Sequence, residues 1–228
     1  MRKMFAIVAV ATAVALAMSG AAYAIPLSAG VGASFGTETV GLDWENNRFK
    51  VKEQGLGLSA FFDAHYVAAS VDLMSGSYDL SGRIFKENGT DPETYDLEQV
   101  VSSLSATLLN FNLIGKYPLP LYGLERVSVF PMIGAGYQMA QIVQAEGPLF
   151  GSYNSIKILF GIGGDFDISE RVFLRFVLLP HYALTKNSTK KIVKDHFGKP
   201  DWNAHGGFGA SGHILAGFRL GHIAGSEN

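Results

Sequence analysis

Large apolar residues recur at every second position of this chain, and the residues between them are small. Ala29, Val31, Ala33 and Phe35 alternate with Gly30, Gly32, Ser34 and Gly36. Leu56, Leu58, Ala60 and Phe62 alternate with Gly57, Ser59 and Asp63. The same beat returns over Val67–Leu73, Leu104–Leu108, Val127–Tyr137, Ile156–Phe166, Val172–Tyr182 and Phe208–Leu220. A period of two puts alternate side chains on opposite faces of a β-strand. The chain therefore reads as all-β, with about eight strands, most of them longer than the roughly 5–6 residues of an average soluble strand.

The connections alternate in length. Long polar stretches at Thr39–Gln54, Ser75–Gln99, Gln144–Tyr153 and Thr185–Gly206 are separated by tight ones near Ala64-His65, at Tyr117–Gly123 and at Ser169-Glu170. Long connections at one end and short turns at the other are the pattern of an up-and-down antiparallel transmembrane β-barrel. An even strand number would bring both termini to the short-turn end.

Composition helps to decide which face turns outward. Hydrophobic residues make up 48% and charged residues 17%, against about 25% charged in ordinary soluble proteins. This excludes a disordered chain, and the absence of cysteine excludes disulfide and thiolate-metal scaffolds. A formal net charge of −2 argues against a nucleic-acid partner. The polar strand face is mostly Gly and Ser, whereas a solvated outer surface would carry many Lys and Glu. A narrow eight-stranded lumen, by contrast, must be filled by side chains, and small residues leave room for a few large ones. The large ones are Asp63, Lys157, Asp165, Arg175 and Arg219, read as a lumen charge network with a structural or gating role. The lipid-facing set is then Val31, Phe35, Leu58, Phe62, Val71, Val129, Ile133, Ile158, Phe160, Leu174, Phe176, Ile214 and Phe218. Phe35, Tyr66, Tyr117, Tyr122, Tyr137, Tyr153 and Tyr182 fall near strand ends, where interfacial aromatics belong. Pro131 falls mid-strand and predicts a bulge, because proline cannot donate to a ladder. Pro180 is expected near the end of the seventh strand.

The first 24 residues read as an export signal. Met1-Arg2-Lys3 are followed by an apolar run to Met18 and the small-residue site Ala22-Tyr23-Ala24. Residues 25–228 would form the exported barrel. No other segment is long and apolar enough for a membrane helix.

Chemical motifs are sparse. Gly207-Phe208-Gly209-Ala210-Ser211-Gly212 matches a dinucleotide fingerprint, but no βαβ unit surrounds it, and glycine on one strand face explains it better. His181 and His213 could approach each other across adjacent strands, yet no carboxylate is placed to complete a metal shell. The basic run Lys190-Lys191 and Lys194 reads first as a solvated loop and second as a contact for anionic surface groups. No catalytic, cofactor or metal residue is assigned.

Three segments carry a resemblance: Phe61-Phe62-Asp63-Ala64-His65-Tyr66-Val67, Gly115-Lys116-Tyr117-Pro118 and Phe130–Tyr137. With the strand plan, they make the chain resemble the small eight-stranded outer-membrane barrels of the OmpW- or OmpX-like kind, including those of spirochaetes such as treponemes. The resemblance implies an outer-membrane location, no cofactor, and as partners the membrane lipid and the barrel-assembly machinery. OmpW-like members imply a narrow path for small hydrophobic solutes, and OmpX-like members imply adhesion to a host surface ligand through the loops. Such barrels usually end in an aromatic residue, whereas here Phe218 is followed by Arg219–Ile223 and a polar tail. Lipid A deacylases are similar in size, but in His181-Tyr182-Ala183 alanine stands where their serine would be. A soluble periplasmic carrier of the lipocalin type is the remaining alternative, and it needs the apolar face turned inward.

Overall fold

The computed structural model describes residues 25–44, 47–88, 91–96, 104–144, 149–188 and 202–223. The expected leader and the Lys190–Lys194 cluster lie outside the described residues. Among the described residues there are ten strands: β1 (Ile25–Trp44), β2 (Asn47–Ala64), β3 (Val67–Asn88), β4 (Asp91–Asp96), β5 (Leu104–Lys116), β6 (Leu119–Pro120), β7 (Val127–Gln144), β8 (Leu149–Asp167), β9 (Val172–Ser188) and β10 (Trp202–Ile223). Eight are long and pair antiparallel with their sequence neighbours. β1 also pairs with β10, from Ile25↔Ile223 to Trp44↔Trp202, and so closes the sheet on itself. The chain is an eight-stranded, up-and-down, closed antiparallel β-barrel. Closure pairs each of the eight long strands on both sides. β4 folds back on the end of β3, and β6 adds two residues beside β7.

The two faces of the wall follow the period-two pattern. Val31, Leu58, Ile133, Ile158, Phe160, Phe176 and Ile214 are exposed on the outside, as are Phe35, Phe62, Val71 and Phe218. Val129 and Leu174 share that face but are half-covered. The buried inner face carries Ser34, Glu38, Ser59, Asp63, Asp72, Asn112, Gln138, Lys157, Arg175, His181 and His213. A soluble carrier would need the opposite arrangement. The outward apolar residues give way along the strands to exposed polar ones: Thr37 pairs with Gln54 and Gln54 with Ser77, and one step lower Ser75 pairs with Thr107 and Thr107 with Gln141.

Several strand limits differ from the sequence reading. Much of Thr39–Gln54, Ser75–Gln99, Gln144–Tyr153 and Thr185–Gly206 is strand, because pairing with a neighbour continues past the point where apolar alternation stops. Pro131 produces no bulge. A strand residue's N and C=O point the same way, and the Pro131 carbonyl accepts from the Tyr117 N–H. Its missing N–H therefore faces the side where β5 has already ended, so the β8 ladder runs through Pro131↔Ile162 unbroken. Pro180 lies mid-strand in β9, not near its end. The β8–β9 ladder skips Phe160-Gly161 opposite Leu179-Pro180 and resumes at Ile162↔Leu178. β10 runs on to Ile223, with a register shift opposite Leu27/Ser28 that leaves Leu220 unpaired with β1.

Candidate functional site

Along β9 the inward residues run Phe173, Arg175, Val177, Leu179, His181. That order sets out the whole lumen: a charged layer, an apolar layer, a second charged layer. Arg175 sits across the tight β8–β9 hairpin from Asp165, its ladder partner. Its Nε and Nη2 donate to the two Asp165 carboxylate oxygens at 2.7 and 2.8 Å. Its Nη1 reaches Asp63 on β2 at 2.7 Å, and Lys116 Nζ at the end of β5 reaches the same Asp63 oxygen at 2.5 Å. Two cations and two carboxylates thus form a neutral set. Aromatic rings enclose it. The guanidinium lies 4.5 Å from the Phe61 ring centre and 5.2 Å from those of Phe130 and Phe173, while Lys116 lies 4.6 Å from Phe130. Ring faces attract cations, and the effect is larger when water is excluded. Glycine makes room for these rings: a Cβ on Gly163 would meet Phe130, and one on Gly217 would meet Phe173, each at 2.2 Å.

Above this layer Ile114, Phe130, Met132, Leu159 and Leu179 pack together, with Val177 against them. They form an apolar cluster on the β5–β9 side of the lumen. Beyond it lies the second charged layer. Lys157 Nζ is 2.6 Å from Glu38, and His181 Nε2 is 3.2 Å from the same Glu38 oxygen. Asp72 accepts from Ser59 Oγ at 2.6 Å and Asn112 Nδ2 at 2.9 Å, with His213 Nδ1 at 3.5 Å. This layer is less filled. A cavity of about 20 Å³, room for about one water molecule, is bordered by Glu38, Asp72, Asn110, Gln138, Lys157 and His181.

Of the five residues expected in a lumen network, Asp63, Asp165 and Arg175 come together, and Lys157 belongs to the second layer. Arg219 lies at the short-turn rim, partly exposed, where its Nη2 donates to Asp167 at 2.6 Å. Lys116, Glu38, Asp72, His181 and His213 were not in that set. Asp72 and Lys116 carry a signal in parity alone: Asp72 follows Ser70 at two-residue spacing, and Lys116 follows Asn112 and Ile114. Glu38 lies in β1 beyond Gly36, where the apolar alternation stops and the sequence carries no signal. His181 and His213 both face inward but attend different carboxylates. Among the described residues no group of three or more His, Asp or Glu side chains is arranged to hold a metal ion. His181 also points into the lumen.

The β2–β3 turn carries a titratable histidine. His65, between β2 and β3, has its pKa lowered, first by partial burial and then by the charge of Lys116, with Asp63 opposing. Its φ of 61° is left-handed, and its ring packs edge-on to Tyr66 at 4.3 Å.

No protein-family model and no curated protein sequence matches the chain. Solved structures do resemble it. The outer membrane protein OprG from Pseudomonas aeruginosa aligns at a TM-score of 0.45 and 11% identity, over 86% of this chain and 96% of that one. Neisserial surface protein A aligns at 0.40 and 13%, over 83% and 95%. Ail, the attachment invasion locus protein of Yersinia pestis, aligns at 0.35 and 13%, over 85% and 98%. The likeness is one of fold.

Proposed function

We propose that the protein is an outer-membrane barrel with a filled lumen, acting as a rigid pedestal for the hairpins at its long-connection end. The observation that carries this reading is the inside-out wall: apolar residues outside, paired charges inside. In hydrocarbon every backbone polar group needs an internal partner, and a closed barrel supplies them all. The belt is of suitable height. On β8 it runs from Ile156 to Phe166, matching the roughly 9–11 residues of a tilted transmembrane strand. β1, β2, β3, β7, β8 and β10 are 18 to 22 residues long. The surplus supports hairpin arms beyond the belt, all at one end. The loops named as candidate contact surfaces are thus in good part strand-stiffened arms, suited to meeting a surface ligand.

A passage for small solutes is the second reading. The apolar cluster of Ile114, Met132, Leu159 and Leu179 fills the β5–β9 side of the lumen between the two charged layers, which speaks against a passage and favours the pedestal. Reconstitution in a planar bilayer tests it. The expected result is a silent wild-type protein that migrates heat-modifiably and is extracted only by detergent. Steady wild-type conductance would replace the pedestal with a passage. Recovery of the native protein in the soluble periplasmic fraction would remove the membrane reading altogether.

A further inference from the structure

One ladder row of the lumen carries five polar residues in succession around the wall: Ser59 on β2, Asp72 on β3, Asn110 on β5, Gln138 on β7 and Ser155 on β8. Each pairs with the next, all face inward, and none is more than 7% exposed. The two halves of the row differ. On the β2–β3 side Asp72 accepts from the Ser59 hydroxyl and the Asn112 amide. On the β5–β8 side Asn110 Oδ1, Gln138 Oε1 and Ser155 Oγ are buried, and no described residue hydrogen-bonds to them.

Such oxygens are few inside folded proteins, and each calls for a water or an ion. Asn110 and Gln138 border the cavity of about 20 Å³ in the far layer. That volume admits one water-sized particle. A water brings two hydrogens, fewer than the three oxygens in this half of the row. A cation instead draws on the lone pairs of every oxygen around it. Charge points the same way. Glu38, Glu53 and Asp72 border the cavity, and Lys157 is the fixed cation beside them. The short-turn layer, by contrast, matches two carboxylates with two cations.

We propose that the Asn110–Gln138–Ser155 arc, with the carboxylates beside it, is an internal binding site for a small monovalent cation, sodium in size and hardness. Amide, hydroxyl and carboxylate oxygens suit a hard ion. The imidazole at the cavity, His181, is engaged with Glu38. Calcium takes about 6–8 oxygens. The Lys157 ammonium beside the cavity also repels a divalent ion twice as strongly as a monovalent one. The bound ion ties β5, β7 and β8 together and offsets the carboxylate excess of the far layer.

The test measures the thermal midpoint of the heat-modifiable band for the full barrel refolded in neutral detergent. Sodium chloride replaces tetramethylammonium chloride, whose cation is too large for the cavity, at constant ionic strength. The expected result is a saturable rise of about 2–4 °C or more. Gln138→Leu and Asn110→Leu remove the oxygens at similar volume, so each should lose the sodium response. Gln138→Glu puts a carboxylate oxygen at the same position, so its sodium response should exceed that of the wild type, and it decides the matter where leucine prevents refolding. Equal wild-type midpoints in the two salts would overturn the site and leave a water in the cavity. A sodium response unchanged in the refolded leucine variants, or no larger in Gln138→Glu than in wild type, would place the ion elsewhere and overturn it as well.

Discussion

Arg175 and Lys157 are both buried cations facing buried carboxylates, yet their surroundings differ. Arg175 sits in a fork-to-fork pair with Asp165, shares Asp63 with Lys116, and is walled by three phenyl rings. Lys157 shares Glu38 with His181 beside a small polar cavity. Burying charge is costly, and removing one partner of a tight buried pair leaves the other stranded. Where a polar cavity adjoins the pair, water can take over part of the lost partner's role. The short-turn layer should therefore behave as a brittle plug, and the far layer as a forgiving one.

The sharpest way to break this contrast is to delete each cation. Arg175→Ala strands Asp165 and leaves Asp63 with Lys116 only, so it should lower stability by about 3–5 kcal/mol. Lys157→Met leaves His181 on Glu38 next to a space that water can enter, so about 1–3 kcal/mol is expected. Urea titration of the heat-modifiable band in detergent measures both. Equal losses would mean that the two layers are energetically alike.

Glycine substitutions probe the same contrast through packing. Gly163→Ala drives a methyl group into the Phe130 ring and should cost about 1–3 kcal/mol. Gly36→Ala meets Met74 Cε at 3.5 Å and Met74 Sδ and the Ala210 carbonyl at 3.7 Å, all ordinary contacts. It should be neutral within about 0.5 kcal/mol, or slightly stabilising through the less flexible unfolded chain. A large loss at Gly36 would show that the far layer is as tightly packed as the plug.

The smallest effect is expected at His65, just below the plug. Its folded pKa is lowered, so the unfolded chain takes up the proton first as pH falls through its ordinary value of about 6.5. Stability should decline slightly across that window and be fully present above it. His65→Gln should abolish this dependence, and an NMR titration showing an ordinary or raised His65 pKa would contradict the assignment.

The barrel was legible because its signal is local. Two-residue alternation states which side chains share a face, and the tight connections at Ala64-His65 and Ser169-Glu170 state which strands are neighbours. The Asp165–Arg175 pair belongs to this local class, since a short hairpin places its partners opposite each other. Strand ends were not legible where pairing outlasts the apolar beat, as at Thr39–Gln54, because backbone hydrogen bonds do not require apolar side chains.

The sequence by itself determined the alternating strands, the small inward residues and the separation of charge from the outer face. Only the tertiary structure decided which charges meet. Asp63 reaches Lys116 and Arg175 across the lumen, and Glu38 meets His181 from 143 residues away. Those encounters depend on closure, strand tilt and register. These are properties of the whole cylinder, and no short stretch of sequence encodes them.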